Sequence, residues 1–312
     1  MKDEIRKNIV LIVLTKYMRL DDVIKWCAIS FIGFILGTST FALQEIILPL
    51  CVFIVATFFC MSFCFAINNY YDADSDRENP RRMHRNALAS GEISKKEGMF
   101  LNVLFIIITL LIVSLYKLGV LYFAIILFVW PGAYSIPPLR LKGRPGIDVL
   151  WHFFGFFFLV LWGSLFASSL SIGSLSILTW LVAISLGVFS CIGQLWNHYS
   201  DYEFDKESGT RTFAVRVGLD TTKKTINVVL GIHLIVLLLL FILYSSHYLI
   251  TLLIVVGGMI LGFLLLKPKK AGFPTRKSFE FYLATIVGGS VYISCLLYQI
   301  FSVIHIDLIK IY

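Results

Sequence analysis

Residues 149–200 read VLWHFFGFFFLVLWGSLFASSLSIGSLSILTWLVAISLGVFSCIGQLWNHYS and contain no Asp, Glu, Lys or Arg. About 20 apolar residues cross a bilayer as a helix, so this run is too long for one span. Its apolar character also rules out a helix exposed to water. The small and polar residues at 169–176 predict a turn that divides the run into two membrane spans.

The rest of the chain has the same character. The 312 residues are 58% hydrophobic and 15% charged, whereas soluble domains carry about 25% charged residues. Spans this apolar are predicted to be helices, because backbone polar groups in lipid must be hydrogen-bonded within the segment. We predict an all-α polytopic membrane protein with nine transmembrane helices. They are placed at 26–43, 46–67, 98–116, 118–135, 149–168, 175–197, 226–244, 247–266 and 281–304.

The basic residues predict the orientation of these helices. With nine spans, all Lys and Arg except Lys117 and Lys310 fall on one side, and the positive-inside rule makes that side cytoplasmic. The net charge of +8 is thereby explained by topology, and no nucleic-acid partner is expected. We predict a single multi-pass domain over 1–312 in a cell membrane, with 1–25 as a cytoplasmic or interfacial segment. The basic loops are 68–97, 136–148, 198–224 and 267–280.

The acidic residues form a repeated pattern. Asn-x3-Asp-x3-Asp, with a further acid between the two aspartates, begins at Asn68 and again at Asn197. Residues four apart share one face of a helix, so each copy predicts a polar stripe at the cytoplasmic end of an apolar helix. The off-stripe acids Asp74 and Glu203 are assigned to solvent or to an outer metal shell. The two stripes are Asn68, Asp72, Asp76 and Asn197, Asp201, Asp205.

Carboxylates that converge in this way repel one another unless a cation lies between them. Oxygen ligands without clustered cysteine or histidine suit Mg²⁺, which takes a few carboxylates together with phosphate oxygens and water. Either stripe alone could be a solvated helix end, but two equivalent copies favour a site. The candidate metal ligands and catalytic residues are Asn68, Asp72, Asp76, Asp201 and Asp205. Basic and polar residues flank both stripes, and a carboxylate–metal site flanked by Arg and Lys suits a diphosphate, whose charge the cations stabilise. The candidate diphosphate-binding residues are Arg85, Tyr134, Arg140, Lys142, Lys206 and Asn197.

Other residues near the stripes receive structural interpretations. His84 and His198 flank the predicted site and are interpreted as surface groups rather than as bases. Gly209 follows the second stripe and is predicted to serve a turn, since glycine adopts backbone conformations that other residues avoid.

At these motifs the chain resembles the UbiA superfamily of intramembrane prenyltransferases. Members carry Asn-Asp-x-x-Asp-x-x-x-Asp, a second Asp-x-x-x-Asp, and a Tyr-Ser-x-Pro-Pro-type loop between them. Here the first motif is residues 68–76, NNYYDADSD, the loop is 134–142, YSIPPLRLK, and the second motif is contained in 200–209, SDYEFDKESG. Asn69 stands where the family usually has Asp, and Ala87 stands where Pro is common. The effect of Asn69 on the choice of acceptor is left open.

The resemblance implies a UbiA-like bundle around a central cavity, with Asp-rich cap loops on the cytoplasmic side. It implies Mg²⁺-dependent transfer of a polyprenyl group from a polyprenyl diphosphate to a lipophilic acceptor in the membrane, with release of pyrophosphate. A quinone-type aromatic or an isoprenoid lipid is the favoured acceptor. Chain length and oligomeric state are left open.

Several alternatives remain at this point. Relatives also prenylate geranylgeranylglyceryl phosphate or carotenoids, and some cyclise the prenyl chain. A protein of another functional class is also considered, namely a membrane transporter without enzymatic activity. A transporter is expected to carry its acids near the midplane of the membrane, whereas the acids here lie at helix ends.

Overall fold

The computed structural model describes residues 9–168, 170–244, 256–257 and 279–311, and every regular element in these ranges is helical. The all-α prediction is therefore confirmed. The helices are α1 Leu20–Gly37, α2 Leu43–Arg77, α3 Pro80–Met83, α4 Lys95–Tyr116, α5 Leu121–Ser135, α6 Ile147–Ala167, α7 Ile177–Ser200, α8 Tyr202–Glu207, α9 Phe213–Val217, α10 Leu219–Tyr244 and α11 Phe279–Ile311.

Within the described ranges, seven helical segments are long and apolar enough to cross a membrane. They are α2, α4, α6, α7, α10, the segment Leu118–Ser135 that contains α5, and Thr285–Ile304 within α11. Of the predicted span 247–266 only residues 256–257 are described, and of the loop 267–280 only residues 279–280. The count of nine spans and the cytoplasmic orientation therefore stay predictions.

Helix α1 begins six residues before the predicted span at 26–43. Its first turn carries Asp21 and Asp22, and acidic residues there interact favourably with the positive end of the helix dipole. Lys25 Nζ lies 3.2 Å from Asp22 Oδ1, one helical turn away. The charged residues that the prediction excluded from the helix thus pair with one another within its first two turns.

The long uncharged run is divided as predicted. Helix α6 ends at Ala167 and α7 begins at Ile177. The Ser176 hydroxyl accepts a hydrogen bond from the backbone N–H of Thr179, which satisfies one of the free donors at the start of a helix. Ser169, within the predicted turn, lies outside the described residues.

The chain contacts divide into two compact units. The first comprises Met1–Phe31 and Leu43–Leu141, as far as it is described. In it, α2 packs against α4 and α5. Phe63 and Phe128 meet edge to face with ring centroids 5.1 Å apart, a favoured aromatic geometry.

The second unit comprises Ile32–Ala42 and the described residues from Lys142 onward. Helix α7 packs against α6 and α10, and α10 packs against α11. Ile192, Leu195 and Ile226 are fully buried or nearly so in its core. The single domain predicted over 1–312 stays a prediction.

The end of α1 belongs to the second unit and packs closely on α6. A Cβ at Gly33 would lie 2.0 Å from the backbone oxygen of Val160, and one at Gly37 would lie 2.2 Å from that of Ser164. The Ser164 hydroxyl donates to the carbonyl of Gly33 at 2.8 Å. Small residues one turn apart are a common means by which membrane helices approach closely.

Candidate active site

The first polar stripe lies on α2, beyond its apolar part. The helix continues to Arg77, ten residues past the predicted end of the span at 67. Asn68, Asp72 and Asp76 are all half-buried, and they line one cavity of about 530 Å³ in the first unit. The four-residue spacing thus places an amide and two carboxylates on a common concave surface.

Four Lys and Arg residues line the same cavity, together with the acids Asp21 and Asp22. Arg82 and Arg85 come from the segment after α2, whereas Lys16 and Arg19 come from the chain before α1. Of these four, only Arg85 was predicted from the sequence as a diphosphate-binding residue. Acids and fixed cations that face one cavity suit a ligand that is itself an anion bridged to a metal ion.

Each acid or amide of the stripe has a donor that orients it. The Ser135 hydroxyl donates to Asn68 Oδ1 at 3.2 Å, and Asn86 Nδ2 donates to Asp76 Oδ2 at 2.9 Å. Arg140 Nη2 lies 3.3 Å from Asp72 Oδ1. A carboxylate offers about four lone-pair sites on its two oxygens, so these contacts leave capacity for a metal ion.

These oxygen donors fit Mg²⁺. No cluster of three or more His, Cys, Asp or Glu within the described ranges could hold a metal ion by itself. Mg²⁺ is usually bound through one or two carboxylates together with phosphate oxygens and water, rather than in an all-protein cage. Two carboxylates and an amide oxygen beside fixed cations match that mode of binding.

Asn69, the departure from the family pattern, anchors the N-terminal segment. Its Nδ2 donates to the backbone oxygens of Lys16 and Tyr17, both at 2.9 Å. Tyr17 closes the π-helical turn Val13–Tyr17, is fully buried, and donates its hydroxyl proton to the carbonyl of Gly98 at 2.8 Å. An ionised aspartate has no proton to donate, so the amide at Asn69 matches the two carbonyls it faces.

Two residues that the sequence analysis missed complete this arrangement. Asn86, 1% exposed, joins Asp76 to the backbone oxygen of Asn69, to which its Nδ2 donates at 2.8 Å. Lys16 Nζ donates to Glu92 Oε1 at 2.6 Å. Burial raises the pKa of Glu92, but hydrogen bonds from Lys16 and Ser90 outweigh it and hold the pKa below its ordinary value.

The second stripe lies in the second unit and is not one continuous helical face. The N–H groups of Asp201 and Asp205 donate to the carbonyls four residues earlier, so the spacing along the chain is helical. However, Asp201 lies in the turn between α7 and α8 and is exposed with Asn197, whereas Asp205 is 3% exposed. Only Asp205 is buried among the three residues.

The turn after the second stripe has the conformation that the sequence predicted. Gly209 has a φ of 71°. Its N–H donates to Lys206 O, and the Thr210 N–H donates to Asp205 O. This is the hydrogen-bond pattern of a Schellman motif, which ends α8. The motif requires a left-handed backbone conformation at the position of the glycine.

The structure also places the other predicted diphosphate-binding residues. Tyr134 is half-buried near the end of α5, and it is not among the described residues that line the first-unit cavity. Arg140 has a φ of 34° and pairs with Asp72. Lys142 lies in the turn Leu141–Gly143 and is itself part of the second unit. Lys206 Nζ lies 5.8 Å from the centroid of the Tyr202 ring.

The interpretation of His198 as a surface group is wrong. The side chain is buried, and its Nε2 lies 2.9 Å from Oδ2 of Asp148, which is 2% exposed. The sequence placed His198 at a helix end but gave no sign of an acid 50 residues away. His84, by contrast, is exposed and lines the first-unit cavity.

The anchoring role of Asn69 gives a first prediction. Asn69→Asp is expected to cost about 2–4 kcal/mol of stability, because it removes two hydrogen bonds and places a charge against two carbonyl oxygens. Asn69→Ala, which removes the donors without adding a charge, is the control and is expected to cost less. Thermal unfolding in detergent measures both. An Asp variant as stable as the wild type would contradict the anchor.

Within the described ranges, helices of membrane-spanning length accompany a cavity lined by acids and fixed cations, a combination that suits an anion bridged to a metal ion in a membrane protein. A family model described as the UbiA prenyltransferase family matches residues 27–286, so the chain belongs to this family. It is accordingly an enzyme of the prenyltransferase class. A comparison with the sequences of curated proteins found no match.

Solved structures show the same fold. A UbiA homologue from Archaeoglobus fulgidus bound to DMAPP and Mg²⁺ is 22% identical, with 93% of this chain and 98% of that chain covered and a TM-score of 0.65. A structure described as that of digeranylgeranylglyceryl phosphate synthase is 19% identical, with 93% and 98% covered and a TM-score of 0.67. The apo UbiA homologue from Aeropyrum pernix K1 is 18% identical, with 88% and 98% covered and a TM-score of 0.61. The predicted UbiA-like fold is confirmed.

Proposed function

We propose that the chain transfers a polyprenyl group from a polyprenyl diphosphate to a lipophilic acceptor within the membrane, depends on Mg²⁺, and releases pyrophosphate. The observation that carries this proposal is the first-unit cavity, where Asn68, Asp72 and Asp76 face fixed cations. The solved homologue that binds DMAPP and Mg²⁺ supports it. The acceptor we propose is a quinone-type aromatic or an isoprenoid lipid.

The residues of the first-unit cavity and the other predicted site residues have separate roles in this chemistry. Asn68, Asp72 and Asp76 would hold Mg²⁺ through their oxygens, with Asp201 and Asp205 proposed as further ligands. Bound Mg²⁺ supplies positive charge to the diphosphate oxygens as the leaving group departs. Fixed cations such as Arg85 stabilise the same developing charge without having to reorganise. The other proposed diphosphate contacts are Tyr134, Arg140, Lys142, Lys206 and Asn197.

The apolar helices contribute to the transfer itself. The bond between the prenyl carbon and the diphosphate oxygen breaks with its electron pair on the oxygen, which leaves positive charge on the prenyl group. The chain has 27 Phe, 14 Tyr and 6 Trp, and aromatic faces attract cations. An apolar surround also excludes water that would consume the prenyl cation before the acceptor does.

Pyrophosphate release tests the proposal. The purified protein in lipid nanodiscs is supplied with geranylgeranyl diphosphate and separate candidate acceptors, with Mg²⁺ or with EDTA. We expect release with Mg²⁺, loss of nearly all release with EDTA, and a product whose mass equals the acceptor plus the prenyl group less one hydrogen. Nanodiscs without protein are the control.

Other outcomes separate the alternatives. Release that yields a cyclic hydrocarbon and no conjugate would favour cyclisation over transfer. Absence of release with prenyl diphosphates of several lengths, from protein that remains folded and monodisperse, would contradict the proposal and favour the transporter alternative. The mass of the conjugate identifies which acceptor class is used.

A further inference from the structure

A second cavity lies in the second unit and differs in character from the first. Its volume is about 730 Å³, and its described lining includes three arginines, Arg144, Arg211 and Arg216, and no Asp or Glu. Ligand sites typically have volumes of about 300–1,000 Å³. The three arginines are exposed, and because no acid is among the described lining residues, the cavity suits an anion.

The charge of these arginines is not neutralised within the described part of the chain. None of the three guanidinium groups there forms an ion pair with a carboxylate. Asp148, the acid nearest to them in sequence on α6, is 2% exposed. Its Oδ1 accepts from the Gly146 N–H at 3.0 Å, and its Oδ2 lies 2.9 Å from His198 Nε2. Both of its oxygens are therefore engaged elsewhere.

Apolar surface adjoins the arginines. Ile147, which lines the cavity, is 41% exposed at the start of α6, and Leu150 in the next turn is 61% exposed. Val215 of α9 also contributes to the lining. Helix α6 is a candidate membrane span by its length and composition, and the first turn of such a span is expected at the level where lipid head groups meet acyl chains. A basic cavity at that level, beside exposed apolar residues, suits an anionic amphiphile.

The geometry of the arginine side chain restricts which anions the cavity can bind. A guanidinium donates two parallel hydrogen bonds and matches the oxygens of a phosphate or carboxylate, and phosphate offers more acceptor oxygens to three such groups. A set of basic residues that served only to orient the protein would need to lie on one side of the membrane, but would not need to line one common cavity. Arg144, Arg211 and Arg216 do line one cavity, which distinguishes them from scattered orientation signals.

We infer that this cavity binds the phosphate group of an anionic membrane lipid. Its lining shares no residue with the first-unit cavity, and the inference does not depend on the proposed transfer reaction. A free phosphate ion has the same recognition chemistry, so the experiment includes an arm for each source.

Native mass spectrometry of the delipidated protein in detergent tests the inference without Mg²⁺ or a prenyl diphosphate. The protein is titrated with phosphatidylglycerol or with phosphatidylcholine of the same acyl chains, and inorganic phosphate is added in a separate arm. The test variant is Arg144→Gln with Arg216→Gln. The matched control is Lys96→Gln with Lys224→Gln, which removes the same charge from two exposed positions outside the cavity.

We expect the wild type to bind phosphatidylglycerol more tightly than phosphatidylcholine, and the arginine variant to bind phosphatidylglycerol about 30-fold more weakly, as expected for the loss of two cations near a lipid phosphate. The lysine control is expected to change less than about threefold. Binding of inorganic phosphate that is lost in the same variant, without a preference between the lipids, would assign the cavity to a free anion and overturn the lipid assignment. Equal effects of the two double variants would overturn the site itself.

Discussion

Asp72→Asn is expected to lower Mg²⁺-dependent pyrophosphate release by at least about a hundredfold, the size of effect seen when one preorganised electrostatic contact to a developing charge is removed. The substitution keeps the size of the side chain but removes the negative charge that a divalent cation requires. Asp72 is half-buried and lines the first-unit cavity with Asn68 and Asp76. The measurement is release from geranylgeranyl diphosphate at saturating Mg²⁺.

Asp74→Asn is the matched control on the same helix. Asp74 lies off the stripe, its side chain is 70% exposed, and it pairs with Lys95 Nζ at 2.8 Å. Exposed ion pairs contribute little to stability, so release is expected to stay within about twofold of the wild type. Equal losses in the Asp72 and Asp74 variants would show that general negative charge matters, rather than a ligand at Asp72.

The folded state of the Asp72 variant must be checked separately. Asp72 pairs with Arg140 at 3.3 Å, and the two side chains are 20% and 46% exposed. Such a partly solvated pair contributes at most about 1 kcal/mol. The unfolding temperature of Asp72→Asn is therefore expected to stay close to that of the wild type, and a loss of activity at unchanged stability assigns the effect to the chemistry of the cavity.

Features with a local signal were predictable from the sequence. The division of 149–200 into two helices follows from the length of the run and from the small residues within it. The turn at Gly209 follows from the position of a glycine directly after the second stripe. The stripe Asn68, Asp72, Asp76 follows from a four-residue spacing. In each case the determining residues lie within a few turns of one another, so a periodic pattern is sufficient.

Features that depend on distant contacts were not predictable. Asn69 bonds to carbonyls 52 and 53 residues away, and no local pattern indicates that an amide is required there. Lys16 and Arg19 reach the first-unit cavity from a segment that the sequence assigned only a topological role. The pairing of His198 with Asp148 likewise joins two helices of the second unit.

The start of α1 was missed for a related reason. Excluding charged residues from a span moved the predicted start of α1 to 26, although Asp21, Asp22 and Lys25 lie within its first turns. Their mutual ion pairs satisfy the charges at the helix end. By contrast, α2 continues to Arg77, as the helical stripe predicted through Asp76 requires, because the polar residues past 67 face a cavity and a packed N-terminal segment rather than lipid.

The close approach of α1 and α6 in the second unit predicts a large loss of stability from one methyl group. In Gly33→Ala the new Cβ would lie 2.0 Å from Val160 O, 2.8 Å from its carbonyl carbon and 2.9 Å from its Cα. These are backbone atoms, so no side chain can rotate away and the helices must separate. Separation also lengthens the hydrogen bond from the Ser164 hydroxyl to Gly33 O.

Overpacking of this kind typically costs about 1–3 kcal/mol and can cost more, and we expect Gly33→Ala to lie at or above the upper end. Gly231→Ala is the matched control, because Gly231 lies within α10 and has no atom within 4 Å of an added Cβ. Alanine is the better helix former by about 1 kcal/mol, so this variant is expected to be neutral or slightly stabilised.

Thermal unfolding in detergent, followed by tryptophan fluorescence, compares the two variants. If Gly33→Ala unfolds at the same temperature as Gly231→Ala, α1 and α6 cannot be in backbone contact, because a methyl group between two touching backbones cannot be accommodated without cost.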